Sequence, residues 1–150
     1  MKSEPDDGSV DEALAAQHAT VPWTGVRNYQ ARNYMRDGMK IGDGVLFCHS
    51  GCEHPGIVGL AEVASAPYPD PTQFDPKSAY YDRDSKAESP RWILVDVRVL
   101  CKTRLLPLMD LRSHPELAGM RVLQKGNRLS ITPVSAAEWR FIQRLLSSNH

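Results

Sequence analysis

The densest group of reactive side chains in this 150-residue chain is Cys48-His49-Ser50-Gly51-Cys52-Glu53-His54. Thiolates and imidazoles in such a run can ligate zinc, and a Cys beside a His can form a nucleophile pair. The spacing fits neither chemistry. The apolar run 45–49 reads as a strand, in which adjacent side chains point to opposite faces, so Cys48 and His49 diverge. Downstream there is no second Cys or His pair, just isolated residues such as Cys101 and His114. Cys48 is expected as a small buried hydrophobe, with His49 facing something polar. Cys52-Glu53-His54 reads as a turn, with no evident cation or helix N-terminus to lower a thiol pKa. There is no G-x-S-x-G, no glycine-rich phosphate loop and no H-E-x-x-H. The paired carboxylates Asp6-Asp7 and Asp82/Asp84 lie in polar stretches, where solvation is the expected state. Catalysis is not indicated, and no metal or cofactor is expected.

What remains is an inventory for binding. Trp23, Trp92 and the tyrosines of residues 65–90 offer aromatic faces; Ser3, Asn28, His49 and Ser50 offer neutral donors and acceptors. Arg27, Arg32, Arg36 and Arg91 are cations able to meet phosphate. Stacking one base on an aromatic ring is worth ~1–3 kcal/mol, and neutral polar groups can then read its edge. A single extruded base suits this set better than a long groove. Each residue has a plainer role open to it: Trp92 and Trp139 as core, Arg27 as an ion-pair partner, Asn28 as a helix cap.

The elements that must position these residues follow from local patterns. Ser9 and Glu12 have capping-box spacing and open a helix through Ala16. Trp23-Thr24-Gly25 is a turn, and residues 26–37 read as a second helix stopped by Gly38. Tyr29, Arg32 and Arg36 share one of its faces. Residues 45–49 and 56–64 read as strands, and residues 92–101 form the strongest, with Ile93, Val95, Val97 and Val99 on one face. Residues 129–132 read as a short strand. Ser135 and Glu138 cap a final helix with a stripe of Trp139, Ile142, Leu145 and Leu146. Residues 65–90 hold five prolines and four aromatics and fit no regular element; they read as a binding loop or as a wrap over the sheet. Mixed elements without βαβ alternation predict an α+β fold with a curled, mostly antiparallel sheet flanked by helices.

Apolar residues at 41% and charged residues at 24% are a globular composition. No apolar run reaches the ~20 residues that cross a bilayer, and the acidic start has no hydrophobic leader segment. Three cysteines fit a reducing, cytoplasmic compartment. Eighteen basic residues balance eighteen acidic ones, against a protein living on non-specific DNA attraction. The balance hides an asymmetry: residues 1–82 carry 6 basic and 12 acidic side chains, and residues 83–150 carry 12 and 6. A basic face and mutual attraction of the two halves both explain it.

Several long strings resemble the EVE domain family. They are Met1-Lys2-Ser3-Glu4-Pro5-Asp6, Trp23-Thr24-Gly25-Val26-Arg27-Asn28-Tyr29-Gln30-Ala31-Arg32-Asn33, Phe47-Cys48-His49-Ser50 and Pro55-Gly56-Ile57-Val58-Gly59. Tyr68-Pro69-Asp70-Pro71-Thr72, Phe74-Asp75-Pro76 and Pro90-Arg91-Trp92 continue the match over nearly the whole chain. The resemblance implies one domain, residues 1–150, with a PUA-like fold: a curled, mostly antiparallel β-barrel flanked by helices. Family members usually carry a few residues before Lys-Ser-Glu-Pro, so the first strand is expected to be short, at about residues 1–3. The resemblance further implies a non-catalytic reader of modified nucleic-acid bases, with a modified cytosine flipped from DNA favoured over RNA. A modified-RNA binding module and a small-molecule or hydrolytic domain remain as alternatives. By position, the base pocket is expected from Ser3, Glu4, Trp23, Asn28, Tyr29, His49 and Ser50, with Tyr80, Tyr81 and Trp92 as further stacking partners. Arg27, Arg32, Arg36 and Arg91 are expected on phosphates. The protein is expected to act as a monomer, away from membranes.

Overall fold

The computed structural model describes residues 1–147. The chain runs through β1 (Lys2–Ser3), α1 (Val10–Ala15), β2 (Thr20–Pro22), α2 (Tyr29–Asn33), β3 (Gly44–His49) and β4 (Gly56–Val63). It continues through β5 (Tyr68–Pro69), β6 (Ile93–Leu94), β7 (Asp96–Pro107), α3 (Leu108–Arg112) and α4 (Ala136–Ser147). Five strands form one sheet in the order β1-β3-β4-β7-β2, and β5 pairs with β6 beside it. Only β1 against β3 is parallel. Register slips at Phe47/Cys48, Ile57/Gly59 and Leu60/Ala61 act as bulges that bend the sheet.

Strand β3 is buried on both faces, which is why it reads as a continuous apolar run. Val45 and Phe47 enter one core with Trp23, Val26, Ala31, Met35 and Val97. Leu46 and Cys48, on the opposite face, enter a second with Ile57, Leu111, Leu117 and Ile142. Cys48 is buried as expected. The strand expected over residues 92–101 is interrupted at Val95: Ile93–Leu94 pair with β5, and β7 runs from Asp96 on to Pro107, with Val95, Val97 and Val99 buried.

Local expectations change or sharpen at four further places. Residues 26–37 are not one helix: Asn28 is extended and its Oδ1 accepts from the Ala31 N–H, so α2 begins only at Tyr29. The helix then widens into a π turn over Tyr34–Gly38. Residues 129–132 join no strand ladder; the Ser130 carbonyl accepts one bond from the Lys2 N–H, and Ile131 alone is deeply buried. The edge strand β2, antiparallel to β7, carries no sequence signal, being three residues long and ending in proline. Residues 65–90 are a wrap with internal order, organised around Gln73, which is fully buried. The Gln73 amide donates to the Asp70 and Trp92 carbonyls, and its Oε1 accepts from Ser85 Oγ and the Trp92 N–H.

Ser9 caps α1 through the Glu12 N–H. At α4, Ser135 and Glu138 cap each other reciprocally. Part of the charge asymmetry is met within the fold: Lys102 pairs with Asp11 at 2.8 Å, Arg98 with Glu62, and Arg91 lies 3.8 Å from Asp82.

Candidate functional site

Where β1, the start of α1 and the turn after β2 meet, the surface opens into a cleft of about 620 Å³. Ser3, Glu4, Trp23, Asn28, Ser50 and Tyr80 line it, joining residues from four separated stretches of chain. Trp23 is mostly buried, edge-on to Phe47 at 5.3 Å between ring centroids. Its indole N–H makes no hydrogen bond among the described residues, yet is not sealed from solvent. Tyr80 packs against the turn after β2. A Cβ placed on Gly25 would lie 2.6 Å from the Tyr80 ring, and Gly25 has φ +85°, so this approach requires glycine. Burial, with Asp7 and Glu4 nearby, pushes the Tyr80 phenol above its ordinary pKa, Arg27 opposing. The lining also includes acidic Asp7 and Glu12 and basic Lys2 and Arg128, which the sequence reading missed.

Arg27 is fully engaged inside the protein. Its Nε and one terminal nitrogen donate to the Tyr80 carbonyl at 3.0 and 2.7 Å. The same terminal nitrogen reaches Thr72 Oγ1 at 3.0 Å, and the other donates to the Val26 carbonyl and to Asp70. All five N–H groups of the guanidinium thus have partners within the protein, and none is left over for the phosphate expected there. Asp70, almost wholly buried, also accepts from the Gly25 N–H at 2.9 Å and from the Thr72 N–H and hydroxyl. The string Asp70-Pro71-Thr72 carried this signal, because an Asp ahead of Pro-Thr caps the turn that follows.

Trp92 and Tyr29 lie outside the cleft, stacked on each other at 4.9 Å and 26°. Arg27 covers Trp92 at 5.3 Å from its centroid, and Arg32 covers Tyr29 at 4.8 Å. Arg27 also stands 5.6 Å from the Tyr80 centroid, so a continuous stack runs Arg32, Tyr29, Trp92, Arg27 and Tyr80. The Trp92 indole donates to Asp82 at 2.8 Å, which lowers the Asp82 pKa; Asp82 is a structural acceptor rather than a merely solvated carboxylate. His49 does not line the cleft. Its Nε2 accepts from the Val10 N–H at 3.1 Å, and burial lowers its pKa. Tyr81 is exposed and outside the lining. Arg36 pairs with Asp37 at 2.9 Å, Arg32 with Asn33 and the Arg91 carbonyl, and Arg91 approaches Asp82.

A bent, mostly antiparallel sheet with helices around it and a polar-mouthed aromatic cleft at its parallel edge is a PUA-like architecture. The chain belongs to the EVE domain family, whose model it matches over residues 1–145. It is similar to thymocyte nuclear protein 1 of Homo sapiens, 39% identical over 97% of this chain and 72% of that protein. The Gallus gallus protein is 38% identical, and the chain spans 66% of its length. Among solved structures, a Pseudomonas putida protein matches with 42% identity and TM-score 0.91, over 97% of this chain and 96% of its own. Human THYN1, solved in complex with 5-methylcytosine containing DNA, matches with 38% identity and TM-score 0.92, over 100% and 97%. Among the described residues, no helix is long and apolar enough to cross a membrane.

Proposed function

We propose that this chain is a non-catalytic reader of a modified base in nucleic acid, a modified cytosine flipped out of DNA into the cleft. The observation that carries the reading is the presence of Trp23 and Tyr80 in one opening ringed by neutral, acidic and basic polar groups. Its volume lies within the ~300–1,000 Å³ usual for ligand pockets. Glu4 accepts from the exocyclic amine; the Asn28 amide nitrogen, uncommitted because only Oδ1 serves the cap, donates to the ring edge. Ser3 and Ser50 supply the remaining polar contacts. The relative solved with 5-methylcytosine containing DNA supports the choice of ligand. Arg32, Arg36 and Arg91 keep N–H groups beyond their protein partners and meet flanking phosphates, and Lys2 and Arg128 join them at the cleft.

The test is titration with oligonucleotides identical except at cytosine C5, bearing hydrogen, methyl or hydroxymethyl. Tighter binding of one modified form, lost in Tyr80→Ala, is the expected result. Equal affinity for all, or for none, overturns the reading. A preference for the RNA version of the same strand transfers it to RNA.

A further inference from the structure

We infer that Arg27 is a positioning residue for the cleft: its guanidinium, locked between Asp70, Thr72 and the Tyr80 carbonyl, sets the Tyr80 ring and so sets which base is accepted. The inference rests on the base-reading function proposed above.

The stretch carrying Tyr80 has no regular secondary structure and must be ordered by individual bonds. Two of these are the bonds from Arg27 to the Tyr80 carbonyl. The Tyr80 N–H donates to Ser78 Oγ, a purely local contact, so Arg27 is what ties this residue to the turn after β2. Arg27 is fixed from its other side by Asp70, whose second contact is the N–H of Gly25, the residue on which the Tyr80 ring rests. The chain of contacts Tyr80–Arg27–Asp70–Gly25 closes on itself. A shift in any member moves the ring relative to the Trp23 indole. A planar fork with five donors can serve four acceptor groups at once; an ammonium with three cannot. Charge alone is therefore insufficient here, and lysine is no substitute.

A phosphate contact and a positioning role predict different results for Arg27→Lys. Lysine keeps the charge and still meets a phosphate, so a phosphate role predicts an affinity ratio and a salt slope close to those of wild type. Loss of positioning leaves the salt slope alone and lowers the ratio of modified to unmodified affinity. The decisive experiment measures binding of the full chain to 5-methylcytosine and cytosine oligonucleotides across a salt series, for wild type, Arg27→Lys, Thr72→Val and Tyr80→Ala. The ratio is expected to fall about tenfold in Arg27→Lys, within what losing one stacking partner costs. A smaller fall is expected in Thr72→Val, with no added effect of Arg27→Lys in a Tyr80→Ala background. An unchanged ratio in Arg27→Lys overturns the inference.

A second readout needs no ligand: NMR contacts between the Tyr80 ring protons and the Gly25 α protons, present in wild type and weakened in Arg27→Lys. Their persistence overturns the inference even if the wild type discriminates no base, an outcome that by itself removes the proposed function. Should Arg27→Lys fail to fold, Thr72→Val, which removes one anchor and keeps the arginine, decides by both readouts.

Discussion

The Tyr80 ring rests on Gly25 so closely that no side chain can come between them: a Cβ there would lie 2.6 Å from the ring. Gly25 adopts φ +85°, a conformation L-residues rarely take. Gly25→Ala therefore meets both a backbone and a steric penalty. A loss of ~1–3 kcal/mol in urea unfolding is expected from the backbone conformation alone. The ring must also move, so discrimination among cytosine derivatives is expected to fall further than stability. A variant as stable as wild type shows that the contact is not limiting.

Asp70 accepts four hydrogen bonds while almost wholly buried, and Arg27 faces it with a side chain 23% exposed. Removing one partner of a buried pair leaves the other uncompensated, at a cost of ~3–5 kcal/mol; here the exposure of Arg27 puts Asp70→Ala at the lower end. Asp70→Asn keeps the size and acceptor oxygen but loses the charge, and should cost less. Chemical denaturation of both variants checks the order. Asp70→Ala no worse than Asp70→Asn would show that the carboxylate oxygens contribute little.

How far the sequence went is clearest from individual residues. Ser9, Ser135 and the alternating valines of β7 were legible, because capping and period-2 burial are local. Cys48 was legible for the same reason, since neighbours on a strand go opposite ways, but His49, expected in the base pocket, accepts from the Val10 N–H and stays out of the lining. Trp92 and Arg27 were legible only as open choices, core or stacking face for the first and ion pair or phosphate contact for the second. Each has a type suited to binding, yet its partners lie far along the chain: Arg27 reaches Tyr80 across 53 positions, and Trp92 bonds Asp82 and stacks on Tyr29. Residue type proposes a role, and long-range partners assign it. The family resemblance supplied the cleft residues Ser3, Glu4 and Asn28, but not the Asp70 hub that holds the cleft's wall. The start of α2 was misplaced because Val26 and Arg27 look helical locally, while Asp70 and Tyr80 hold that segment extended.

Trp23 serves both core and cleft, and its variants should separate these roles. It is only 8% exposed and packs edge-on against Phe47. Trp23→Ala opens a cavity and is expected to cost ~3–5 kcal/mol, enough to confuse a binding measurement with unfolding. Trp23→Phe retains an aromatic face with less volume and no indole N–H. It is expected to stay folded, with weakened binding of the modified oligonucleotide. Thermal unfolding beside the titration distinguishes the two. A Phe variant that binds as well as wild type removes the indole from recognition.

His49 ties the edge of the cleft to pH. Burial lowers its pKa below 6.5, with the Asp11 carboxylate opposing and Lys102 reinforcing the shift. The bond it accepts from the Val10 N–H, at the first residue of α1, requires an unprotonated Nε2. Because the folded pKa is the lower one, the unfolded chain binds more protons below 6.5. The stabilisation is complete above 6.5 and is lost as the pH falls through the folded value. Urea midpoints of wild type should thus drop more than those of His49→Gln between about pH 7.5 and pH 5. The imidazole resonances of His49 should titrate with a midpoint below 6.5. A midpoint at or above that value, or parallel pH dependence in the two proteins, would mean that the Val10 bond is not linked to protonation.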